Sequence, residues 1–152
     1  MRSKILLAPF LLMIALLASG CTLEADTIAT FGPKITVEDS NKSTEEICTT
    51  VFEGYLNYLK GKSISDEMRI NDYSIDSIKV EQTITGENGE IKYIFSTDYS
   101  VLPATQRFAL AGEGTTQENG WIKRKFHVIE ITKDKNTYRI TGIASGKSAT
   151  QK

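Results

Sequence analysis

The chain has 152 residues, of which 24% are charged and 40% hydrophobic, and its formal charge is −1. That length and composition suit one globular domain of ordinary size. The near balance of charge excludes a protein built to grip nucleic acid, because neutralising phosphates needs a clustered positive face.

The first twenty residues have three parts. Arg2 and Lys4 form a short positive segment, Ile5 to Ala18 is an uncharged run of 14 residues, and Ala18, Ser19 and Gly20 lead into Cys21. A membrane-spanning helix needs roughly 20 apolar residues, so the run is short and reads as the h-region of a signal peptide. Leu17-Ala18-Ser19-Gly20-Cys21 resembles the lipobox of bacterial lipoproteins, with Ala18 standing where leucine is usual. The resemblance implies a signal peptide over 1–20, cleavage before Cys21, and a diacylglyceryl group on the Cys21 thiol. Each buried CH₂ contributes about 0.8 kcal/mol, and two acyl chains hold a protein on a bilayer where one does not. Thr22 follows the cysteine, so the aspartate that retains many Gram-negative lipoproteins at the inner membrane is absent. Lysine outnumbers arginine 13 to 5 and isoleucine is frequent. These features favour the outer face of a Gram-positive cell membrane, or the outer membrane in a Gram-negative cell.

Without residues 1–20, the remaining 132 carry 16 basic and 19 acidic side chains, a formal charge of −3. Anionic lipids would not attract such a domain, so the lipid itself must hold it at the membrane. With Cys21 acylated, Cys48 stands alone and no intramolecular disulfide can form. A nucleophilic cysteine needs a neighbouring base to make the thiolate. The single histidine is His127.

Residues 21–43 read as a tether, rich in Thr, Glu, Asp, Lys and Ser with a Gly32-Pro33 turn signal. Within it, Lys34-Ile35-Thr36-Val37 has the pattern of an edge strand. The globular domain is expected over 44–147, followed by a short tail over 148–152. Ser43-Thr44-Glu45-Glu46 is a capping box that opens a helix, and Gly61 is its natural stop. Ile47, Cys48, Val51, Phe52, Tyr55, Leu56, Tyr58 and Leu59 fill about half the helical wheel. Cys48 lies inside that arc, which predicts a buried, inert thiol. Ser63 to Ile70 reads as a short helix or a turn.

From Ser74 the period changes to two. Ile78, Val80 and Ile84 form one strand, and Ile91, Tyr93, Phe95, Thr97, Tyr99 and Val101 form the next, around Gly86-Glu87-Asn88-Gly89. Asn-Gly is a strong hairpin signal. A loop of two or four residues pairs Ile84 with Tyr93 or Ile91 and puts both apolar sets on one face; a three-residue loop requires a bulge. Asp98 then points outward. Leu102-Pro103 ends the strand, a third strand is expected over Thr105–Ala111, and Gly112 to Gly120 forms a loop. A fourth strand over Trp121–Ile131 and a fifth over Thr137–Ala144 close the pattern, with Ile129 and Ile131 sharing a face with Ile140 and Tyr138. Ile122, Phe126 and Val128 have the opposite parity, so either both faces are partly covered or a bulge near Lys125-Phe126 switches the register. Lys123-Arg124-Lys125 reads as a solvated strand, not an anion site.

One amphipathic helix followed by about five antiparallel strands predicts an α+β domain with the sheet curved around the helix. Over roughly Ser43 to Lys147 this pattern resembles the NTF2-like and cystatin-like folds. Phe95–Pro103 and Gly112–Trp121 are similar to small uncharacterised NTF2-like lipoproteins of Gram-positive bacteria. Such folds host enzymes, binders and assembly modules alike. No metal ligand set, cofactor motif or catalytic triad can be assembled from these residues. The expectation is therefore a non-enzymatic ligand- or protein-binding domain, with Tyr55, Tyr58, Tyr93, Phe95, Tyr99 and Phe108 lining the open end of the sheet. The alternative is a small enzyme with a cone-shaped pocket, whose acid and base would come from Asp98, Glu130 and His127.

Overall fold

The computed structural model describes residues 31–38, 40–109 and 114–146. The expected signal peptide, Cys21 and the tail over 148–152 lie outside the described residues. The described elements are β1 (Ile35–Thr36), α1 (Thr44–Leu59), β2 (Ile70–Thr85), β3 (Ile91–Pro103), β4 (Thr115–Thr116), β5 (Ile122–Asp134) and β6 (Thr137–Ser145). One helix packs against a curved antiparallel sheet with the order β1-β6-β5-β3-β2, and β4 adds to β5. The architecture is α+β, with most of the ordered chain in the sheet. No described helix is long and apolar enough to cross a membrane.

The helix begins where its capping residues dictate. Ser43 Oγ accepts from the Glu46 amide at 3.2 Å, and the Glu46 carboxylate accepts from the Ser43 amide at 2.7 Å. Those bonds hold the Glu46 pKa below the usual carboxylate value. Beyond Leu59 the Gly61 amide donates to the Tyr58 carbonyl at 2.9 Å, which satisfies one terminal acceptor. Seven side chains are buried along one side: Ile47, Cys48, Val51, Phe52, Tyr55, Leu56 and Leu59. Each large apolar side chain contributes about 1.5–3 kcal/mol on burial, so this face, more than helix propensity, holds α1 in place. Ser63 to Arg69 is a series of turns.

The edge strand expected at Ile35 is present: Ile35 pairs with Tyr138 and Thr36 with Thr137. Val37 is buried and Phe31 packs on the core, so the packed chain begins upstream of residue 44. At the opposite edge β2 starts at Ile70, four residues earlier than expected. The β2–β3 loop has five residues, since Thr85 pairs with Ile91 and Ile84 with Lys92. Ile84 therefore lies on the outer face, contrary to the pairing expected from an even loop. An extra β2 residue at Glu81 restores the phase, so that Val80 opposes Phe95. Two further extra residues occur at Asn71 and Asp76.

No strand forms over Thr105–Ala109, which bends and turns instead. The short strand in that part of the chain is β4, paired with Ile122 and Lys123. Gly114 makes this approach possible, because a Cβ there would sit 2.5 Å from Ile122 Cγ2 and 3.1 Å from the Lys123 carbonyl oxygen. The β5–β6 turn is the two-residue Lys135-Asn136. Ile131 thus opposes Ile140 and shares the inner face with Ile129 and Tyr138, as the alternation required.

Candidate functional site

The inner face of β5 carries His127 and also Lys125, which was expected on a solvated strand. Tyr99 opposes Lys125, whereas Val101 opposes Ile122, so β5 contains an extra residue near Lys123-Arg124. Arg124 adopts φ +59°, the left-handed conformation that makes the bulge. Downstream of it Lys125, His127, Ile129 and Ile131 all face the helix. Lys125 is 2% exposed and His127 is 1% exposed. The solvated strand expected at 123–125 is therefore corrected at Lys125. The Lys125 ammonium lies 5.7 Å from the Phe108 ring, and burial lowers its pKa to about 8. Both readings of β5 hold in part: a bulge switches the register, and Phe126 and Val128 remain half-buried on the outer face.

Around His127 the core becomes polar. Tyr99 Oη and His127 Nδ1 are 2.9 Å apart, and their rings lie 5.6 Å apart. Phe52 packs edge-on against Tyr99 at 5.1 Å, and Tyr55 stacks beside Phe52 at 6.2 Å. Phe52, Tyr55, Tyr99, His127, Ile129 and Ile143 line a cavity of about 10 Å³. Tyr55, 2% exposed, borders it, and its Oη has no hydrogen-bond partner among the described residues. Desolvation raises the pKa of Tyr55 to about 12 and that of Tyr99 further still. Both phenols are neutral at any physiological pH.

Of the six aromatic residues expected to line an open end, Tyr55 and Tyr99 border this cavity. Phe95 is buried against Phe52, and Tyr93 stacks on Tyr138 at 6.4 Å. Tyr58 is half-buried beside Gly32, and Phe108 lies by Lys125. Asp98, Glu130 and His127 do not converge, because adjacent strand residues alternate. His127 points inward, while Asp98 and Glu130 lie on the outer face among hydroxyls.

That outer face has its own order. Asp98 accepts from Ser77 at 3.2 Å, Glu81 from Ser96 at 2.8 Å, Asp76 from Ser100 at 3.3 Å and Glu130 from Thr141 at 2.8 Å. Lys92 also reaches Glu130 at 3.4 Å. Ile94, Phe126 and Val128 stand half-buried among these groups. Among the described residues no three His, Cys, Asp or Glu side chains are grouped to hold a metal ion. Cys48 is fully buried and free, and burial raises its thiol pKa to about 12.

No family model, curated protein or solved structure matches this chain. The sequence pattern missed Lys125 as a core residue, whereas His127 has the parity of Ile129 and Ile131 and lies on their face. The signal that could have found Lys125 is the parity conflict between Ile122 and Ile129.

Proposed function

We propose that this is a lipid-anchored extracytoplasmic protein whose domain, NTF2-like or cystatin-like, binds a protein partner through the outer face of its sheet. The order of charge, apolar run, small residues and Cys21 supports the anchor. The observation that carries the binding mode is how little space the described residues leave: the cavity between helix and sheet is about 10 Å³, too small for a substrate. A partner must then be met at the surface. Ile94, Phe126 and Val128 offer half-covered apolar anchors, rimmed by Asp98 and Glu130, which suits a partner with apolar residues inside a basic rim.

The anchor narrows where that partner lies. Nine residues separate Cys21 from Phe31, which packs on the core. A chain spans at most about 3.3–3.6 Å per residue, so the domain stays within roughly 35 Å of the bilayer, and its partner is membrane-proximal. The anchor is tested by feeding cells a clickable fatty acid, which should label the wild type and not Cys21→Ser. The face is tested with a photo-crosslinking residue at position 128. A discrete adduct that disappears in Asp98→Lys/Glu130→Lys supports the reading, while equal adducts from a probe at Glu45 oppose it.

One observation favours the enzymatic alternative, namely a histidine within hydrogen-bond distance of a tyrosine. Turnover of a substrate that is lost in His127→Ala would carry that reading instead.

A further inference from the structure

We infer that Arg139 is the specificity-determining residue of the docking face proposed above, on which this reading rests, and that it receives a carboxylate of the protein partner. Lys92, Thr132 and Arg139 stand in one row across β3, β5 and β6, because Lys92 opposes Thr132 and Thr132 opposes Arg139. Their chain neighbours Tyr93, Ile131 and Tyr138 are buried on the inner face, so strand alternation puts the row on the outer one. Two carboxylates flank Thr132 along β5, and both are taken. Glu130 accepts from Thr141 at 2.8 Å and pairs with Lys92 at 3.4 Å, and Asp134 pairs with Lys34 at 3.9 Å. Arg139 forms no ion pair with any described residue. The residue is half-buried, and its Nε is buried without a hydrogen-bond partner among the described residues. A guanidinium keeps its charge and its five N–H donors at any physiological pH. Holding one of those donors buried and unbonded costs the fold stability.

Charge on the outer face is thereby divided. On the β2 side Asp76, Glu81 and Asp98 accept from Ser100, Ser96 and Ser77, with Lys79 at 3.1 Å from Glu81. On the β6 side the uncompensated charge is the Arg139 cation. The half-buried Ile94, Phe126 and Val128 lie on β3 and β5, between the two. A partner that matches this face is dipolar: basic towards β2, apolar in the middle and acidic over β6. With Nε covered, Arg139 presents its two terminal Nη groups, which can hold both oxygens of one carboxylate. Its planar fork is pre-organised, so less freedom is lost per hydrogen bond than for a lysine.

The photo-crosslinking residue at position 128 of the full chain in cells tests this. Arg139→Gln and Arg139→Glu should each cut the adduct about tenfold or more, as loss of one partner of a desolvated charge pair does. Lys62→Glu, the same kind of change at an exposed site in the turns after α1, should leave it intact. Changing one Asp or Glu of the crosslinked partner peptide to Lys should restore the adduct with Arg139→Glu. Arg139→Met keeps the apolar stem and removes the unbonded donor, so it should lose the adduct while its Tm equals or exceeds that of the wild type. An adduct that survives Arg139→Glu yet disappears in Asp98→Lys/Glu130→Lys leaves the docking face standing and overturns the role of Arg139. A markedly lower Tm in Arg139→Met identifies a structural residue and overturns it too. Absence of any adduct in the wild type removes the docking face itself, and the inference with it.

Discussion

Tyr99 Oη approaches His127 Nδ1 to 2.9 Å across the β3–β5 ladder, although the residue directly opposite Tyr99 is Lys125. The bond is thus diagonal, and it fixes the imidazole of a histidine that is 1% exposed. Losing one partner of a buried hydrogen bond costs about 1–3 kcal/mol. Tyr99→Phe should lower unfolding free energy by that amount in denaturant titrations with an unchanged slope. A loss of a few tenths would mean that the bond contributes little.

Lys125 supplies a pH dependence of known sign. Its folded pKa, about 8, lies below the ordinary value of 10.5 because burial disfavours the ammonium. The cost is complete below about pH 8 and vanishes as pH rises towards the unfolded value. Relative to Lys125→Met, the wild type should gain up to about 3 kcal/mol between pH 7 and 10.5. Parallel stability curves for the two proteins would contradict the burial argument.

Gly54 and Ile35 form a coupled pair. A Cβ at Gly54 would lie 2.6 Å from Ile35 Cδ1 and 3.0 Å from its Cγ1. Alanine should gain about 1 kcal/mol of helix propensity, yet overpacking costs typically 1–3 kcal/mol. Gly54→Ala is therefore expected to be neutral or destabilising alone and stabilising in an Ile35→Ala background. A double-mutant cycle reads the coupling directly; additive effects would show that β1 moves aside freely.

Cys48 should react slowly with a water-soluble thiol reagent in the folded protein and quickly in denaturant. Full burial blocks access, and a pKa near 12 leaves almost no thiolate at neutral pH. Rapid native labelling would show that α1 detaches from the sheet.

Local signals were legible in the sequence. The capping box at Ser43, the stop at Gly61 and the apolar arc between them specify α1 through contacts no more than a few residues apart. Strand alternation placed Tyr93, Phe95 and Tyr99 on the inner face. It failed where an extra residue enters a strand, because a bulge looks like broken periodicity until its partner strand is known. The inward turn of Lys125 and His127 depends on Arg124 adopting φ +59° against β3, which is a non-local event. Thr105–Ala109 has strand-like composition, yet Thr105 Oγ1 donates to the Asp66 carbonyl at 3.0 Å and Ala109 N–H to the Glu67 carbonyl at 2.7 Å. Those bonds fold the segment onto the turns before β2 and take it out of the ladder.

The bulges in β2 have a consequence for how copies of this protein behave when crowded. Asn71, Asp76 and Glu81 interrupt the strand at intervals of five residues, leaving regular runs of four. A second molecule adding a straight strand to this open edge would meet its hydrogen-bonding groups in phase for one short run and then lose step. Natural proteins blunt their edges by such twisting and by charge, and here two of the three inserted residues are carboxylates. Deleting Glu81 would double one run while leaving Ile84 opposite Lys92 on the outer face, and the variant should seed filaments at concentrations the parent tolerates. If the proposed lipid anchor gathers copies in the plane of a membrane, a strand that cannot be copied keeps the molecules separate.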